Sequence, residues 1–163
     1  MVAIREYRES DAPQVGILIA HTYRECNLME LSSEDQHKSL GPFAYARSDE
    51  PAHQEEIVRV LRTEMILVAE DAGDVVGVLR GRWDRLQSLF VRGDRQRQGV
   101  GRMLVERFEA ECRRQQSGVI RLASTLNGAP FCLCMGYTRT TGLRTLTSFG
   151  NRGLRYQPMK KTL

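Results

Sequence analysis

A strand, a basic glycine loop and a helix follow one another between Leu89 and Cys112, and this order constrains the fold more than any other stretch. The apolar run Leu89-Phe90-Val91 ends at Gly93, which predicts a buried strand that gives way to a turn. From Val100, apolar residues recur every three or four positions, which predicts a helix with one face on a core. We expect this helix to run to about Gln116, with Gly118 as its C-terminal cap.

The loop between this strand and this helix is predicted to bind an anion. Its sequence, Gln96-Arg97-Gln98-Gly99-Val100-Gly101, brings two glycines to the point where a helix leaves its first N–H groups unpaired. The positive end of the helix dipole lies at the same place. Four arginines flank the loop: Arg92, Arg95, Arg97 and Arg102. Together these features favour a phosphate or a pyrophosphate as the ligand.

The glycine spacing alone does not identify the anion. A P-loop has Lys-Ser or Lys-Thr after its second glycine, whereas Arg102-Met103 follows here. A Rossmann fingerprint has a third glycine where Leu104 stands and an acidic residue at the end of the next strand, which here ends in Ala123-Ser124. Both of these nucleotide-binding classes are therefore disfavoured.

Two motifs in this order resemble the GNAT family of acyl-CoA-dependent N-acetyltransferases, in its small bacterial-type members. The family signature, Gln or Arg-x-x-Gly-x-Gly or Ala, is matched by Gln96, Gly99 and Gly101. In the family a later strand leads into an Asn-containing turn, a short helix and a Gly-Tyr or Gly-Phe pair. This second pattern is matched by Asn127, Pro130, Phe131, Gly136 and Tyr137. A weaker match is the terminal run Leu154–Leu163, which Gly142, Gly150 and Gly153 precede in a predicted polar loop.

The resemblance implies a fold and an activity. The fold is α/β (α+β), the acyl-CoA N-acyltransferase fold, with a mixed, mostly antiparallel sheet of six or seven strands flanked by helices in a single domain, 1–163. The activity is that of an N-acetyltransferase, an acyltransferase for groups other than aminoacyl groups. It would move the acetyl group of acetyl-CoA, its co-substrate, to a primary amine by direct attack. No metal is implied.

The resemblance also implies which residues bind coenzyme A. The strand would contact pantetheine and polarise the acetyl carbonyl, the glycine loop would hold the pyrophosphate, and the second motif would line the pantetheine arm. The residues in these roles are Leu89, Phe90, Val91, Gln96, Arg97, Gln98, Gly99, Val100, Gly101, Arg102, Asn127 and Phe131.

The catalytic residues depart from the family pattern. Cys132 stands where many members carry the tyrosine that gives a proton to the leaving coenzyme A thiolate. It is predicted to fill the tyrosine's space, to donate that proton, or to act as a nucleophile, and the sequence leaves these roles open. The general base is unknown. Gln87 and Ser88 occupy positions where some members carry glutamate, which leaves water, an acidic residue of 28–49, or one of the three histidines, His21, His37 and His53.

The rest of the chain predicts alternating helices and strands. The periodicity and cap signals give these elements: a strand Val2–Tyr7, a helix from Ser10-Asp11 to Cys26-Asn27, a short helix from the Ser32 cap to Leu40, a helix Pro51–Leu61, a hairpin of Met65–Val68 and Val75–Leu79 around the turn Glu70–Asp74, and strands Leu86–Val91 and Val119–Ala123.

Composition limits the class of protein. With 163 residues, 41% hydrophobic and 27% charged, the chain is expected to form one soluble domain. It has no apolar run near the ~20 residues of a membrane span and no signal-peptide h-region, so a cytoplasmic location is the default expectation. The four cysteines have no disulfide or zinc spacing and are expected to be reduced thiols.

The net charge of +4 is assigned to the arginine-flanked loop rather than to nucleic acid. The expected partner is a small-molecule or peptide amine, with neither nucleic acid nor membrane, and a homodimer is left open. Two alternatives to an enzyme are kept: a non-catalytic acyl-CoA-binding regulatory protein and a phosphate-dependent nucleic-acid module.

Overall fold

One sheet with helices on both faces organises the chain in the computed structural model, which describes residues 1–146 and 154–163. Its strands are β1 Ala3–Glu6, β2 Met65–Asp71, β3 Asp74–Arg82, β4 Arg85–Val91, β5 Val119–Thr125, β6 Thr138–Arg139, β7 Arg144–Leu146 and β8 Leu154–Thr162. The helices are α1 Ala12–Asn27, α2 Ser33–Leu40, α3 Pro51–Leu61, α4 Val100–Arg114 and α5 Ala129–Cys134. Single 3₁₀ turns span Glu9–Asp11, Gly41–Tyr45 and Gly93–Arg95.

The strand order is β1-β2-β3-β4-β5-β8-β6, and β7 also pairs with β8. Only β4 and β5 run parallel among the described strands, which are eight in number. The predicted mixed, mostly antiparallel sheet is confirmed. It has more strands than the six or seven expected because two short strands, β6 and β7, share the outer edge of β8.

The central parallel pair separates after two residues. β4 and β5 pair only at Arg85–Arg121 and Leu86–Leu122. The register between β3 and β4 shifts at this point, because Gly81 faces Leu86 while Arg80 faces Ser88, which leaves Gln87 as an extra residue. Such a bulge bends a strand and ends its pairing. The carboxyl halves of β4 and β5 therefore diverge, and an opening forms between them.

Each face of the sheet has its own core. On one face, α4 packs against the sheet through Leu104 and Phe108. On the other face, α1 and α3 bury Val15 and Ile57 against Val78 of β3. Side chains alternate along a strand, so β4 sends Leu89 and Val91 toward α4 but Phe90 toward α1.

The local predictions differ from the structure mainly at element ends. The predicted turn Glu70–Asp74 is largely strand, and only Ala72 and Gly73 turn, with φ of 52° and 89°. Glu70 and Asp71 remain in β2 because they pair with β3. Their carboxylates also bind arginines, Arg5 in the case of Glu70 and Arg95 in the case of Asp71. A two-residue turn with positive φ suits the twist of a hairpin.

The end of α4 is also different. The residue in the left-handed conformation is Gln116, with φ 59°, rather than the predicted cap Gly118. Gly118 instead immediately precedes β5, and its carbonyl accepts a hydrogen bond from the Leu163 amide. The predicted loop at Gly150 and Gly153 lies outside the described residues.

Candidate active site

The start of α4 offers free amide donors. Gly99, with φ 87°, forms the N-cap, and the first amide bonded to it is that of Met103, at 3.0 Å. The amides of Val100, Gly101 and Arg102 precede this bond and have no partner in the helix ladder. A Cβ built on Gly99 would meet no atom within 4 Å, so the approach to these amides is open.

The loop in front of α4 is held by its own side chains. The Gln96 amide donates to the Val91 carbonyl at 3.0 Å, and the Gln98 amide donates to the Asp94 carbonyl at 2.7 Å. Arg97 adopts φ 59°, which non-glycine residues seldom do. Both glutamines thus fix the backbone of the predicted pyrophosphate loop, and their side-chain amides are used within the protein.

The four flanking arginines are not equivalent. Arg92 binds Asp94 at 2.7 Å and Arg95 binds Asp71 at 2.8 Å, so both are tied to carboxylates. Arg102 is 3.9 Å from its nearest carboxylate and well exposed, and Arg97 has no ion pair within the described part of the chain. Arg97 and Arg102 are therefore the two flanking arginines that no close carboxylate holds within the described ranges.

The two sequence motifs meet at Gly101. A Cβ on Gly101 would lie 3.4 Å from the Phe131 ring of α5 and 3.7 Å from Val91 at the end of β4. The strand, the loop and α5 therefore converge on one point. Asn127, in the turn before α5, donates from its side chain to the Cys26 carbonyl of α1 at 2.9 Å. This bond ties the second motif to the opposite face of the sheet.

Cys132 lies in α5, partly buried against the α4 core. Its sulfur is 3.7 Å from the Ser124 hydroxyl oxygen. Burial raises the pKa of the Cys132 thiol above its usual range. A protonated thiol can donate a proton, but it is a poor nucleophile, since the thiolate is the reactive form.

The positions that lack a glutamate, Gln87 and Ser88, have separate environments. The Gln87 side chain accepts a hydrogen bond from Thr63 at 2.8 Å. The Ser88 hydroxyl is buried and has no hydrogen-bond partner among the residues that the structure describes. Ser88 lies opposite Arg80 of β3 and two residues before Phe90 on β4. Ser88 therefore shares the α1 face of β4 with the Phe90 ring. Sequence reasoning named Ser88 only as the site of a missing carboxylate.

The three histidines lie on helices. On the exposed face of α1, a ring nitrogen of His21 lies 3.2 Å from the Glu25 carboxylate. His37 and His53 flank the Tyr45 ring, one edge-on at 5.0 Å and the other stacked at 4.2 Å between ring centroids. His53 also contacts the Ser48 hydroxyl at 2.7 Å. His37 and His53 thus lie on either side of one ring, whereas His21, on a different helix, pairs with a carboxylate of that same helix.

A narrow cleft of about 60 Å³ opens on the α1 face of the sheet, and we call it the β5–β8 cleft. Tyr23 of α1 covers it, and the Tyr23 ring meets Phe90 edge-on with a centroid distance of 6.1 Å. Its lining residues are Tyr23, Ala123, Thr125, Leu154, Arg155 and Tyr156. None of them was predicted as a site residue. The alternation along β5 signals which of its residues share a face, but the pairing with β8 joins segments that are distant in sequence.

The described ranges show neither a metal-ligand cluster nor a disulfide. No three His, Cys, Asp or Glu side chains come together there as metal ligands. The four cysteines are free thiols. Within these ranges, every helix is too short or too polar to cross a bilayer.

β4 and β5 form a central parallel pair that opens beside the start of α4 at Gly99. This arrangement defines the class of protein, an acyl-CoA N-acyltransferase fold. The family follows from the sequence as well, because a family model described as acetyltransferase (GNAT) domain matches residues 31–163. The chain belongs to the GNAT acetyltransferase family.

Solved structures of similar fold include three relevant ones. A GCN5-related N-acetyltransferase from Rhodopseudomonas palustris has a TM-score of 0.81 at 22% identity, over 99% of this chain and 95% of that one. The PaiA N-acetyltransferase from Thermoplasma acidophilum, in complex with coenzyme A, has a TM-score of 0.70 at 15% identity, over 100% of this chain and 99% of that one. YncA from Salmonella typhimurium, a putative acetyltransferase with its cofactor acetyl-CoA, has a TM-score of 0.66 at 21% identity, over 100% of this chain and 94% of that one. No protein of curated function matches the sequence significantly.

Proposed function

We propose that the chain is a single-domain N-acetyltransferase that moves the acetyl group of acetyl-CoA to a primary amine of a small molecule or peptide. The observation that carries this proposal is the opening between β4 and β5, with the free amides of α4 at its edge. Two solved structures of similar fold contain coenzyme A or acetyl-CoA, which supports the choice of co-substrate.

The residues present fit acetyl-CoA. The amides of Val100, Gly101 and Arg102 can receive a diphosphate, and the exposed guanidiniums of Arg97 and Arg102 add positive charge. The carboxyl half of β4 has no strand partner on its β5 side, so Leu89 and Val91 have backbone groups to bind the amides of pantetheine. Phe131 and Asn127 would line the same arm, as the family resemblance implies.

The chain's own groups would assist the reaction in three ways. Acetyl-CoA supplies an activated carbonyl, to which the amine nitrogen bonds while the bond from carbon to sulfur breaks. A backbone N–H on the unpaired half of β4 would stabilise the negative charge that develops on the carbonyl oxygen. Holding the amine beside that carbonyl removes much of the entropic cost of the encounter. The leaving sulfur needs a proton, and Cys132 is the proposed donor.

A neutral Cys132 suits proton donation. Its raised pKa keeps the proton in place at neutral pH, which favours a donor over the nucleophile also considered from the sequence. The alternative is that Cys132 only fills the space of the tyrosine found in many family members. The base that deprotonates the amine is not assigned to a residue.

The proposal is tested by measuring the release of free coenzyme A from acetyl-CoA in the presence of a panel of primary amines. Calorimetry with acetyl-CoA alone gives binding separately from turnover. Binding with turnover supports the enzyme. Binding without turnover of any amine would favour the second candidate, a non-catalytic acyl-CoA-binding regulator. The observation that favours this candidate is the combination of Cys132 for tyrosine and Gln87-Ser88 for glutamate.

Cys132→Ala and Cys132→Tyr test the proton donor. If Cys132 donates, we expect Cys132→Ala to lower kcat by roughly 100-fold or more, the usual contribution of a general acid, with little change in acetyl-CoA affinity. Cys132→Tyr should recover part of the rate and shift the alkaline limb of the pH profile. An unchanged kcat in Cys132→Ala would assign the residue a packing role only.

The remaining expectations stay predictions. These are a cytoplasmic location, a homodimer, and the absence of nucleic acid, membrane and metal among the partners.

A further inference from the structure

The β5–β8 cleft lies beside the proposed reaction centre. Ala123 and Thr125 follow Leu122, the last residue of β5 that pairs with β4, so the floor of the cleft belongs to the diverging half of β5. Tyr23 covers this floor and contacts Phe90 of β4. A molecule in the cleft would therefore lie at the opening of the sheet, on the face opposite α4. That is where an amine could meet a carbonyl held between the two strands.

One cross-strand row leads out of this cleft to an arginine. Tyr156 of β8 lies directly opposite Thr125 of β5 on one side and opposite Arg144 of β7 on the other. Residues directly opposite on antiparallel strands share a face, with Cβ atoms about 4.5–5.5 Å apart. Arg144 thus extends the floor of the cleft outward. Its side chain is exposed, and it has no carboxylate partner in the described part of the chain.

The strands on one side of the β5–β8 cleft come from a part of the chain that has basic residues but no acidic ones. Residues 112–163 contain nine Lys or Arg and no Asp or Glu, whereas residues 1–111 contain 15 basic and 20 acidic residues. The strands β5 to β8 all come from the basic part. A cleft lined by charge of one sign concentrates ligands of the opposite sign. Arg155 lines the β5–β8 cleft and Arg144 adjoins it, and these strands carry no acidic residue, so the strand side of the cleft attracts anions.

The one acidic residue of α1, Glu25, is directed elsewhere. It lies two residues after Tyr23 on α1, and residues two apart on a helix do not share a face. Its carboxylate is 3.2 Å from the His21 ring and 3.7 Å from a Cβ built on Gly93, beyond the end of β4.

We propose that the acceptor of this enzyme is a primary amine that also carries a carboxylate, and that Arg144 binds this carboxylate. The inference rests on the proposed acetyl transfer. Arginine binds a carboxylate with two parallel hydrogen bonds. The aromatic rings of Tyr23 and Tyr156, with Leu154, add an apolar surface for the body of the acceptor. The substrate class is therefore an amino acid or a similar molecule with an apolar group, rather than a polyamine.

The test compares acceptors that differ in the carboxylate alone. Coenzyme A release is measured with L-phenylalanine and with L-phenylalaninamide, and spermidine serves as the cationic acceptor. Arg144→Gln is compared with the wild type, and Arg139→Gln is the matched control. Arg139 is also exposed, but it pairs with Met159, whose side chain packs in the α4 core, so Arg139 lies on the opposite face.

We expect Arg144→Gln to lower the ratio of kcat/KM for L-phenylalanine over L-phenylalaninamide by about tenfold, the usual effect of one hydrogen bond to a charged group. Arg139→Gln should leave the ratio unchanged. Comparing ratios between variants cancels the different basicity of the two amines. As a second readout, calorimetry on the coenzyme A-loaded protein should show N-acetyl-L-phenylalanine binding about tenfold more weakly to Arg144→Gln than to the wild type.

Three results would overturn the inference. If turnover occurs with an unchanged ratio in Arg144→Gln, or with spermidine preferred in the wild type, the anionic acceptor is wrong and the acetyl transfer stands. If acetyl-CoA binds but no amine is acetylated, the proposed function fails and the inference fails with it. Thermal melting of both exposed-arginine variants separates a loss of folding from a loss of recognition.

Discussion

Gly99→Glu tests the anion site at α4 most directly. Gly99 has φ 87° and faces open space, so a side chain there meets no clash but pays for the left-handed backbone. That conformation costs a non-glycine residue about 1–2 kcal/mol of stability. The new carboxylate would lie beside the amides that are proposed to bind the diphosphate. Binding should then be weakened by like-charge repulsion, in addition to a modest loss of stability.

The expected loss of affinity follows from Coulomb's law. Two unit charges about 4 Å apart interact by about 1 kcal/mol in water and about 4 kcal/mol at an effective dielectric constant of 20. Because Gly99 faces solvent, we expect the lower part of this range, about 1–2 kcal/mol. This corresponds to a roughly 5- to 30-fold rise in the Kd for acetyl-CoA, measured by calorimetry at low salt.

Gly73→Glu provides the matched control. Gly73 has φ 89° and also meets no atom within 4 Å, but it lies in the β2–β3 turn and not in the first turn of α4. Both variants should lose similar stability in urea, and only Gly99→Glu should lose affinity. Equal Kd values for Gly99→Glu and the wild type would refute the placement of the diphosphate.

Two further predictions concern buried charge. Lys161 binds the buried carboxylate of Glu109 at 2.8 and 2.9 Å, so Lys161→Met should lower the free energy of unfolding in urea by about 3 kcal/mol. The double variant with Glu109→Gln should recover most of this loss. A double variant as unstable as the single one would contradict the reasoning. Burial raises the pKa of Cys112 from 9.0 to about 11, so between these values the folded chain keeps a proton that the unfolded chain loses. Stability should therefore fall as pH rises, by up to about 1.4 kcal/mol per pH unit. Cys112→Ala should flatten this slope, whereas an equally steep slope would exclude the thiol as its source.

Local signals predicted the helices and strands well. The helix Pro51–Leu61 was predicted with the bounds that the structure has, because its proline start and its apolar spacing act within a few residues. The Ser32 cap is confirmed by the bond that its hydroxyl accepts from the Asp35 amide at 3.1 Å. The hairpin of β2 and β3 was also predicted from neighbouring segments.

At the candidate site, the sequence reveals contacts between neighbouring residues but not contacts between distant ones. The glycine loop was visible because a helix start and its glycines are adjacent in sequence. The sequence did not show which arginines form ion pairs, because Arg95 binds Asp71, which is 24 positions away. The buried hydroxyl of Ser88 depends on the bulge at Gln87, which has no sequence signal of its own.

The sequence by itself determined the family, the order of strands and helices along the chain, and the position of the glycine loop at the start of α4. These follow from periodicity, caps and motifs that span a few residues each. The tertiary structure alone decided where β4 leaves β5, how Phe131 comes to rest on Gly101, and how Thr125, Tyr156 and Arg144 form one row. These features join segments far apart in the chain, and their positions depend on strand register and packing, which local preferences do not specify.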